Sequence, residues 1–291
     1  MEKATDSASI APVVRSHKRI NFRATLCMPF TVFMVLFVIF PLFLILFYAF
    51  TDGETGALTF KNWAIAFTTE GNLQTIGRTF LISFLTTLFC LLIAYPVAYL
   101  LANSKYNKNK LLVYIFLLPM WINFVIRTIG VKSLLNGLTN AIFGYDITAE
   151  HPVASIVIGM VYDYLPFAIL PLYNQMIKMD KNQIEASADL GANPAQVFFK
   201  TIIPMTVPGI VSACMMTFMP TMSSYVIANK MSENNTKIIG NIIQTQFITN
   251  TAANSNNVGS VLSLLMLMII GISLIVEKTF KKDEPRKGDL W

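Results

Sequence analysis

The stretch KMDKNQIEASADLGANPAQVFFKTIIP, Lys178–Pro204, separates two long apolar runs and carries helix signals of its own. Asp180 followed three residues later by Gln183 has the spacing of a capping box and opens a helix over Lys181–Leu190. Gly191 supplies a left-handed position that ends it. Asn193 then caps a second helix with Pro194 at its first position, running through Val197, Phe198 and Phe199 to Ile203. The expected shape is helix, tight turn, helix. On the first helix Ala186, Ala188 and Leu190 are small or apolar. Glu185 and Asp189 lie four apart on one face, the spacing of side chains that share a surface. Two readings stay open at this point: a docking helix for another protein's groove, or an ordinary connection of two amphipathic turns.

Outward from this connection the chain is too apolar for water. Of 291 residues, 54% are hydrophobic and 13% charged, against about 25% charged in soluble domains, and the mean hydropathy is +0.57. A soluble enzyme, a disordered tail and a secreted disulfide scaffold are excluded. Six apolar runs approach the ~20 residues that cross a bilayer: Leu26–Phe50, Thr79–Leu101, Leu111–Val131, Val153–Tyr173, Met205–Ala228 and Val258–Val276. The first is too long for a signal-peptide core and lacks a small-residue cleavage pattern, so it reads as a retained span. The expected fold is all-α, a polytopic membrane protein with six transmembrane helices. Residues 1–25 form an N-terminal arm, 26–276 the transmembrane domain with the 178–204 connection inside it, and 277–291 a tail. The arm Ile10–Arg23, mixing apolar and basic residues, either lies on the inner leaflet or simply orients the chain, and the second reading is favoured.

The net charge of +6 is distributed by side. Sixteen of the 22 Lys and Arg fall in the arm (Lys3, Arg15, Lys18, Arg19, Arg23), the second–third connection (Lys105, Lys108, Lys110), the fourth–fifth connection (Lys178, Lys181, Lys200) and the tail (Lys278, Lys281, Lys282, Arg286, Lys287). The positive-inside rule puts these segments and both termini in the cytoplasm. The basic balance is thus a topology signal and not a nucleic-acid footprint. Cys27, Cys90 and Cys214 all fall in apolar runs and read as buried thiols without disulfide or zinc spacing. None of the 14 glycines is followed by lysine, so a phosphate-binding P-loop is absent from the sequence. His17 and His151 are the two histidines, in no metal-binding spacing.

Prolines recur in the spans (Pro41, Pro96, Pro119, Pro166, Pro171, Pro208, Pro220). Each frees a carbonyl that neighbours or a wet cavity must satisfy, a pattern that favours a transporter or channel over a passive anchor. Asp163 lies about ten residues into the fourth span, ~15 Å deep and near the midplane. A carboxylate there costs ~3 kcal/mol to insert and must face a cavity or a partner. Its carboxylate either meets a cation in transit or is paired internally. Arg127 lies near the outer end of the third span, roughly 9 Å shallower by the same rise, so direct pairing is possible but not favoured. Trp121 lies at similar depth, Tyr225 near the outer end of the fifth span, and Tyr162 and Tyr164 flank Asp163. Aromatic faces attract cations by ~0.5–2 kcal/mol each, although span aromatics also pack or mark interfaces. Asn123 either lines a polar path or bonds across helices. The acids of the loops Thr51–Gly77 and Ser133–His151 (Asp52, Glu54, Glu70, Asp146, Glu150) read as solvated, and Asn250–Asn257 as an outer loop.

Glu185-Ala186-Ser187, Gly191 and Ile202-Ile203-Pro204 resemble the Glu-Ala-Ala…Gly…hydrophobic–Pro loop of ABC importer permeases. The departures are Ser187 for the second alanine, Thr201 for the usual isoleucine and Ile203 for the usual leucine. LLPMWINFVIRTIG (Leu117–Gly130), YLPFAILPLY (Tyr164–Tyr173), IIPMTVPGI (Ile202–Ile210) and KIIGNIIQTQF (Lys237–Phe247) are similar to the B-type permeases of spermidine/putrescine importers. The resemblance runs from about Leu26 to Val276. It implies the type I importer permease fold in a bacterial plasma membrane and a non-catalytic subunit that translocates polyamines by alternating access. It also implies a homologous second permease, two copies of an ABC ATPase and an extracytoplasmic solute-binding protein as partners. ATP and Mg belong to the ATPase, and this chain carries no cofactor or metal. The loop becomes the ATPase-coupling element, with Glu185, Ala186, Ser187, Asp189 and Gly191 as its residues. The substrate-pathway candidates are Asp163, Trp121, Asn123, Tyr225, Tyr162 and Tyr164. Alternatives are a permease for another small cationic or organic solute, an autonomous channel or secondary carrier, and a membrane-embedded enzyme, which would need a clustered constellation of groups where the spans hold only Asp163 and Arg127 as charged residues.

Overall fold

The computed structural model describes residues 22–103, 111–249, 252 and 254–281. The arm through residue 21, the basic cluster Lys105, Lys108 and Lys110, and the tail beyond 281 lie outside the described residues. The chain divides into two compact units, Met1–Leu44 and Ile45–Trp291.

Helix α1 (Phe22–Met34) passes through a π turn, Val35–Ile39, into α2 (Phe40–Ala49). The π turn stands directly before Pro41, and Phe40 N–H bonds the Val35 carbonyl five residues back. Widening the turn moves the carbonyls that a proline ring would meet in an α-helix. The device recurs before Pro204, where Ile203 N–H bonds the Phe198 carbonyl.

The second unit is built on three helices: α4 (Asn72–Asn103), α8 (Pro152–Met176) and α11 (Ile203–Ser223). Cys90, Ala94 and Ala98 of α4 pack against Ala168, Ile169 and Leu172 of α8 and Ala213 of α11, all fully buried. Small residues let the backbones close up, the usual basis of helix association where lipid gives no hydrophobic drive. At Gly209 the approach is closest: a Cβ there would stand 2.6 Å from the Gln175 Cβ. The remaining elements are α3 (Lys61–Thr68), α5 (Leu111–Leu117), α6 (Phe124–Phe143), α7 (Ile147–Glu150), α9 (Lys181–Asp189), α10 (Pro194–Val197), α12 (Tyr225–Met231), α13 (Ile239–Gln244) and α14 (Ser255–Lys281).

Five helices among the described residues are long and apolar enough to cross a membrane: Cys27–Ala49, Asn72–Asn103, Pro152–Met176, Pro194–Ser223 and Ser255–Thr279. The sixth apolar run departs from the expected straight span Leu111–Val131. It is a pair, Leu111–Trp121 and Phe124–Phe143, bent by 93°. A 3₁₀ turn, Leu118–Trp121, ends its first limb, Ile122 is extended, and the Asn123 side chain accepts the Val125 N–H at 2.9 Å to start the second. The fifth span differs too. The helix begun at Pro194 does not stop at Ile203 but runs on to Ser223. It breaks at Ser224 instead of reaching Ala228: the Ser224 backbone leaves the helical region at ψ 57°, and its Oγ donates to the Pro220 carbonyl at 2.7 Å.

The acids of the 51–77 and 133–151 segments divide: Glu54, Glu70 and Glu150 are exposed, as expected, whereas Asp52 and Asp146 are half-buried and hydrogen-bonded. Residues 133–143 continue α6. Asp146 caps α7, accepting the Thr148 hydroxyl and N–H and the Asn136 amide. Asp52 accepts the N–H groups of Glu54 and Thr55. Asn257, expected in a loop, lies on α14 and donates to the Tyr48 and Thr51 carbonyls. Cys27, expected buried, is exposed; Cys90 is buried and Cys214 partly so, all three as free thiols.

Candidate functional site

The two helix breaks meet. Met120–Asn123 and Ser223–Tyr225 border one cavity of about 630 Å³ whose lining includes Trp121, Asn123, Phe124, Arg127, Asp163, Tyr164, Phe167, Ser223, Ser224 and Tyr225. Of the six pathway candidates, five line it. The sixth, Tyr162, turns its ring to Arg127, whose guanidinium carbon lies 5.8 Å from the ring centre.

Asp163 is buried and its carboxylate is occupied. Arg127 Nε donates to Oδ1 at 2.5 Å and Thr128 Oγ1 donates to Oδ2 at 2.8 Å. The same guanidinium reaches the Pro119 carbonyl at 2.9 Å and the Asp163 carbonyl at 3.3 Å. The depth count that disfavoured this pair assumed a continuous helix. The break returns the chain at Asn123, so Arg127 stands on the first turn of α6, beside the fourth span. One arginine therefore satisfies a carbonyl at the break, neutralises the midspan acid and ties the third run to the fourth. Asn123 caps α6 and lines the cavity; neither earlier reading of it included a cap.

The opposite wall is built by the other break. The Tyr164 and Ser224 hydroxyls hydrogen-bond each other, closing the fourth span on the end of the fifth. Trp121 is 85% exposed at the rim. Thr128, Phe124, Phe167, Ser223 and Ser224 were not singled out from the sequence. An asparagine four residues after Pro119, in cap position before Phe124, is the signal that marks the first break; the serine pair three and four residues after Pro220 marks the second. Among the described residues no group of three or more His, Cys, Asp or Glu could hold a metal.

At the other end of the fourth span the connection has the expected form. Asp180 Oδ1 accepts the Asn182 N–H at 3.0 Å and starts α9. The reciprocal capping box lies one helix later, where Asn193 and Gln196 exchange bonds of 2.8 and 3.0 Å. Gly191 is left-handed at φ +86° with open space around its Cβ position. Glu185, Ala186 and Asp189 are exposed and Ser187 is half-buried. Ser187 accepts a hydrogen bond from the Thr201 hydroxyl at 3.1 Å.

Comparison with known proteins places this arrangement. The chain is 31% identical over 272 residues to the spermidine/putrescine transport system permease protein PotB of Haemophilus influenzae, covering 88% of this chain and 93% of that protein. The protein of the same name from Escherichia coli is 32% identical over 200 residues, 66% of this chain and 72% of its own. A bacterial ABC transporter involved in the import of the acidic polysaccharide alginate superposes with a TM-score of 0.70 at 16% identity, over 88% of this chain and 95% of that one. A chain of the MetNI methionine ABC transporter, in inward-facing conformations, gives 0.51 at 23% identity, over 72% and 95%. The all-α fold is that of ABC importer permeases of type I. Residues 79–277 match the family described as binding-protein-dependent transport system inner membrane component, and the chain belongs to that family.

Proposed function

We propose that this chain is the permease subunit of an ATP-binding cassette importer that carries spermidine or putrescine inward by alternating access. The observation that carries the substrate class is the identity to PotB over nearly the full length of both chains. The cavity chemistry supports it. A slender polycation needs faces that attract ammonium groups without holding them. Trp121, Tyr225 and Tyr164 offer π surfaces worth ~0.5–2 kcal/mol each, and Asn123 and Ser223 offer polar atoms. Asp163, neutralised by Arg127, leaves the wall without a free carboxylate that would trap a cation at the midplane. Asp163 thus serves the path as half of a staple, with Tyr162 behind Arg127.

Capture belongs to an extracytoplasmic solute-binding protein and energy to a pair of ATPase subunits that bind ATP and Mg. A homologous second permease completes the pathway. Both termini face the cytoplasm, with residues 1–25 and 277–291 flanking the transmembrane domain 26–276. α9 and the Gly191 turn lie on the same side and dock on the ATPase through the exposed Glu185, Ala186 and Asp189, with Ser187 behind them bonded to Thr201. The fifth span links this helix to the Ser224 break, so a displacement of α9 is delivered to the cavity wall. The test is ATP hydrolysis by the complex in nanodiscs. Binding protein loaded with spermidine or putrescine is expected to stimulate it, and stimulation by an amino acid or sugar in place of polyamines contradicts the reading.

A further inference from the structure

α9 has no fully buried residue, so packing alone does not fix its angle to the fifth span. The backbone joining them turns sharply at Gly191, where φ is +86° and nothing lies within 4 Å of the Cβ position. Across that turn, the one side-chain hydrogen bond between α9 and the fifth-span helix among the described residues is Thr201 Oγ1 to Ser187 Oγ, 3.1 Å. Thr201 sits in the π turn Phe198–Ile202, whose wider ring changes which side chains face α9 just before Pro204. Beyond the π turn the helix is anchored: Tyr95 and Thr206 hydroxyls lie 3.0 Å apart, joining the fifth span to the second. The fifth span is therefore held near its start, and the hydroxyl pair is what fastens the exposed helix to it.

We propose that Ser187 and Thr201 form a brace that makes α9 and the fifth span move as one body, so that displacement of α9 reaches the cavity instead of being absorbed at Gly191. They are positioning residues. The inference rests on the reading that α9 docks on the ATPase. A flexible joint would let the ATPase cycle while the span lags, so the brace shows in the stoichiometry of transport more than in either activity alone.

The experiment uses the full complex, with second permease, ATPase and binding protein, in proteoliposomes, and reads ATP hydrolysed per spermidine imported. Ser187→Ala and the isosteric Thr201→Val are each expected to raise that ratio about 2- to 10-fold, the range of one neutral hydrogen bond. The double variant is expected to match either single one, and Thr201→Ser to restore the ratio. An unchanged ratio in both single variants, or a double variant equal to the product of the two, overturns the brace. Cysteine cross-linking of Ala186→Cys to the ATPase tests the docking reading separately. A cross-link with unchanged ratios removes the brace alone, whereas no cross-link removes the docking reading and the brace with it.

Discussion

Arg127 Nε lies 2.5 Å from Asp163 Oδ1, with the two side chains 8% and 2% exposed. The pair joins the first turn after one helix break to the middle of the next span. Removing one member strands the other charge in a low-dielectric interior, whereas removing both does not. Arg127→Met and Asp163→Asn are each expected to destabilise the permease by about 3–5 kcal/mol. The double variant is expected to recover a large part of that. Thermal unfolding of the detergent-solubilised complex measures both, and additive losses contradict the staple.

Trp121 is free of such bonds and stands at the cavity rim, so its replacement separates path from scaffold. Trp121→Ala is expected to reduce spermidine uptake by roughly 2- to 30-fold, the loss of one cation–π face, with little change in melting temperature. Trp121→Phe is expected to retain most uptake. Equal uptake by wild type and Trp121→Ala removes the indole from the path.

Gly191 stands in open space, so a side chain there meets backbone strain and no clash. Gly191→Val is expected to cost about 1–2 kcal/mol locally and to lower polyamine uptake while insertion continues. Gly191→Asn is expected to be milder, as asparagine tolerates the left-handed region. Normal uptake by the valine variant removes the turn from the coupling account.

Gly209 is the opposite case. A Cβ would stand 2.6 Å from Gln175 Cβ and 3.3 Å from the Pro171 carbonyl. Gly209→Ala is expected to force the fourth and fifth spans apart, at about 1–3 kcal/mol, and to lower the melting temperature of the complex. An unchanged melting temperature contradicts the close approach.

Asp146 links the C-terminal end of α6 to α7. The Thr148 hydroxyl holds its carboxyl below the ordinary value of 3.8, with the Thr148 and Ala149 N–H groups and Lys132 adding to this against a smaller rise from burial. A folded-state pKa below the unfolded one adds stability that is full above the unfolded value and is lost as pH falls through the lowered one. Amide exchange around α7 is therefore expected to stay protected down to pH 4 and to open below it. Thr148→Val is expected to bring the opening to higher pH. Protection unchanged to pH 2 contradicts the assignment.

Much of this was legible in the sequence because membrane chemistry writes in long strokes. Apolar runs near 20 residues located the spans, and Asp180, Gly191, Asn193 and Pro194 located the elements of the 178–204 connection. What failed was arithmetic along helices assumed straight. Placing Arg127 roughly 9 Å from the level of Asp163 failed because the third run bends by 93°, at an Asn123 that lines the cavity and also caps α6, a role neither the lining nor the cross-helix reading included. Tyr225 was placed on the fifth span, yet belongs to the short helix beyond Ser224. Ser187 and Thr201 looked like two mild departures from a familiar loop. Sequence position does not reveal that they bond to each other, because the contact depends on the π turn and on the angle at Gly191. Contacts across breaks and turns are set by three-dimensional closure, which residue spacing in a single chain does not encode.

The most direct measurement is radiolabelled spermidine uptake into proteoliposomes holding this chain with its second permease, ATPase and binding protein, with each component and ATP omitted in turn. Uptake that requires ATP and every component is the predicted result. Uptake by this chain alone, or a complex that hydrolyses ATP with its binding protein yet moves no polyamine, contradicts the account.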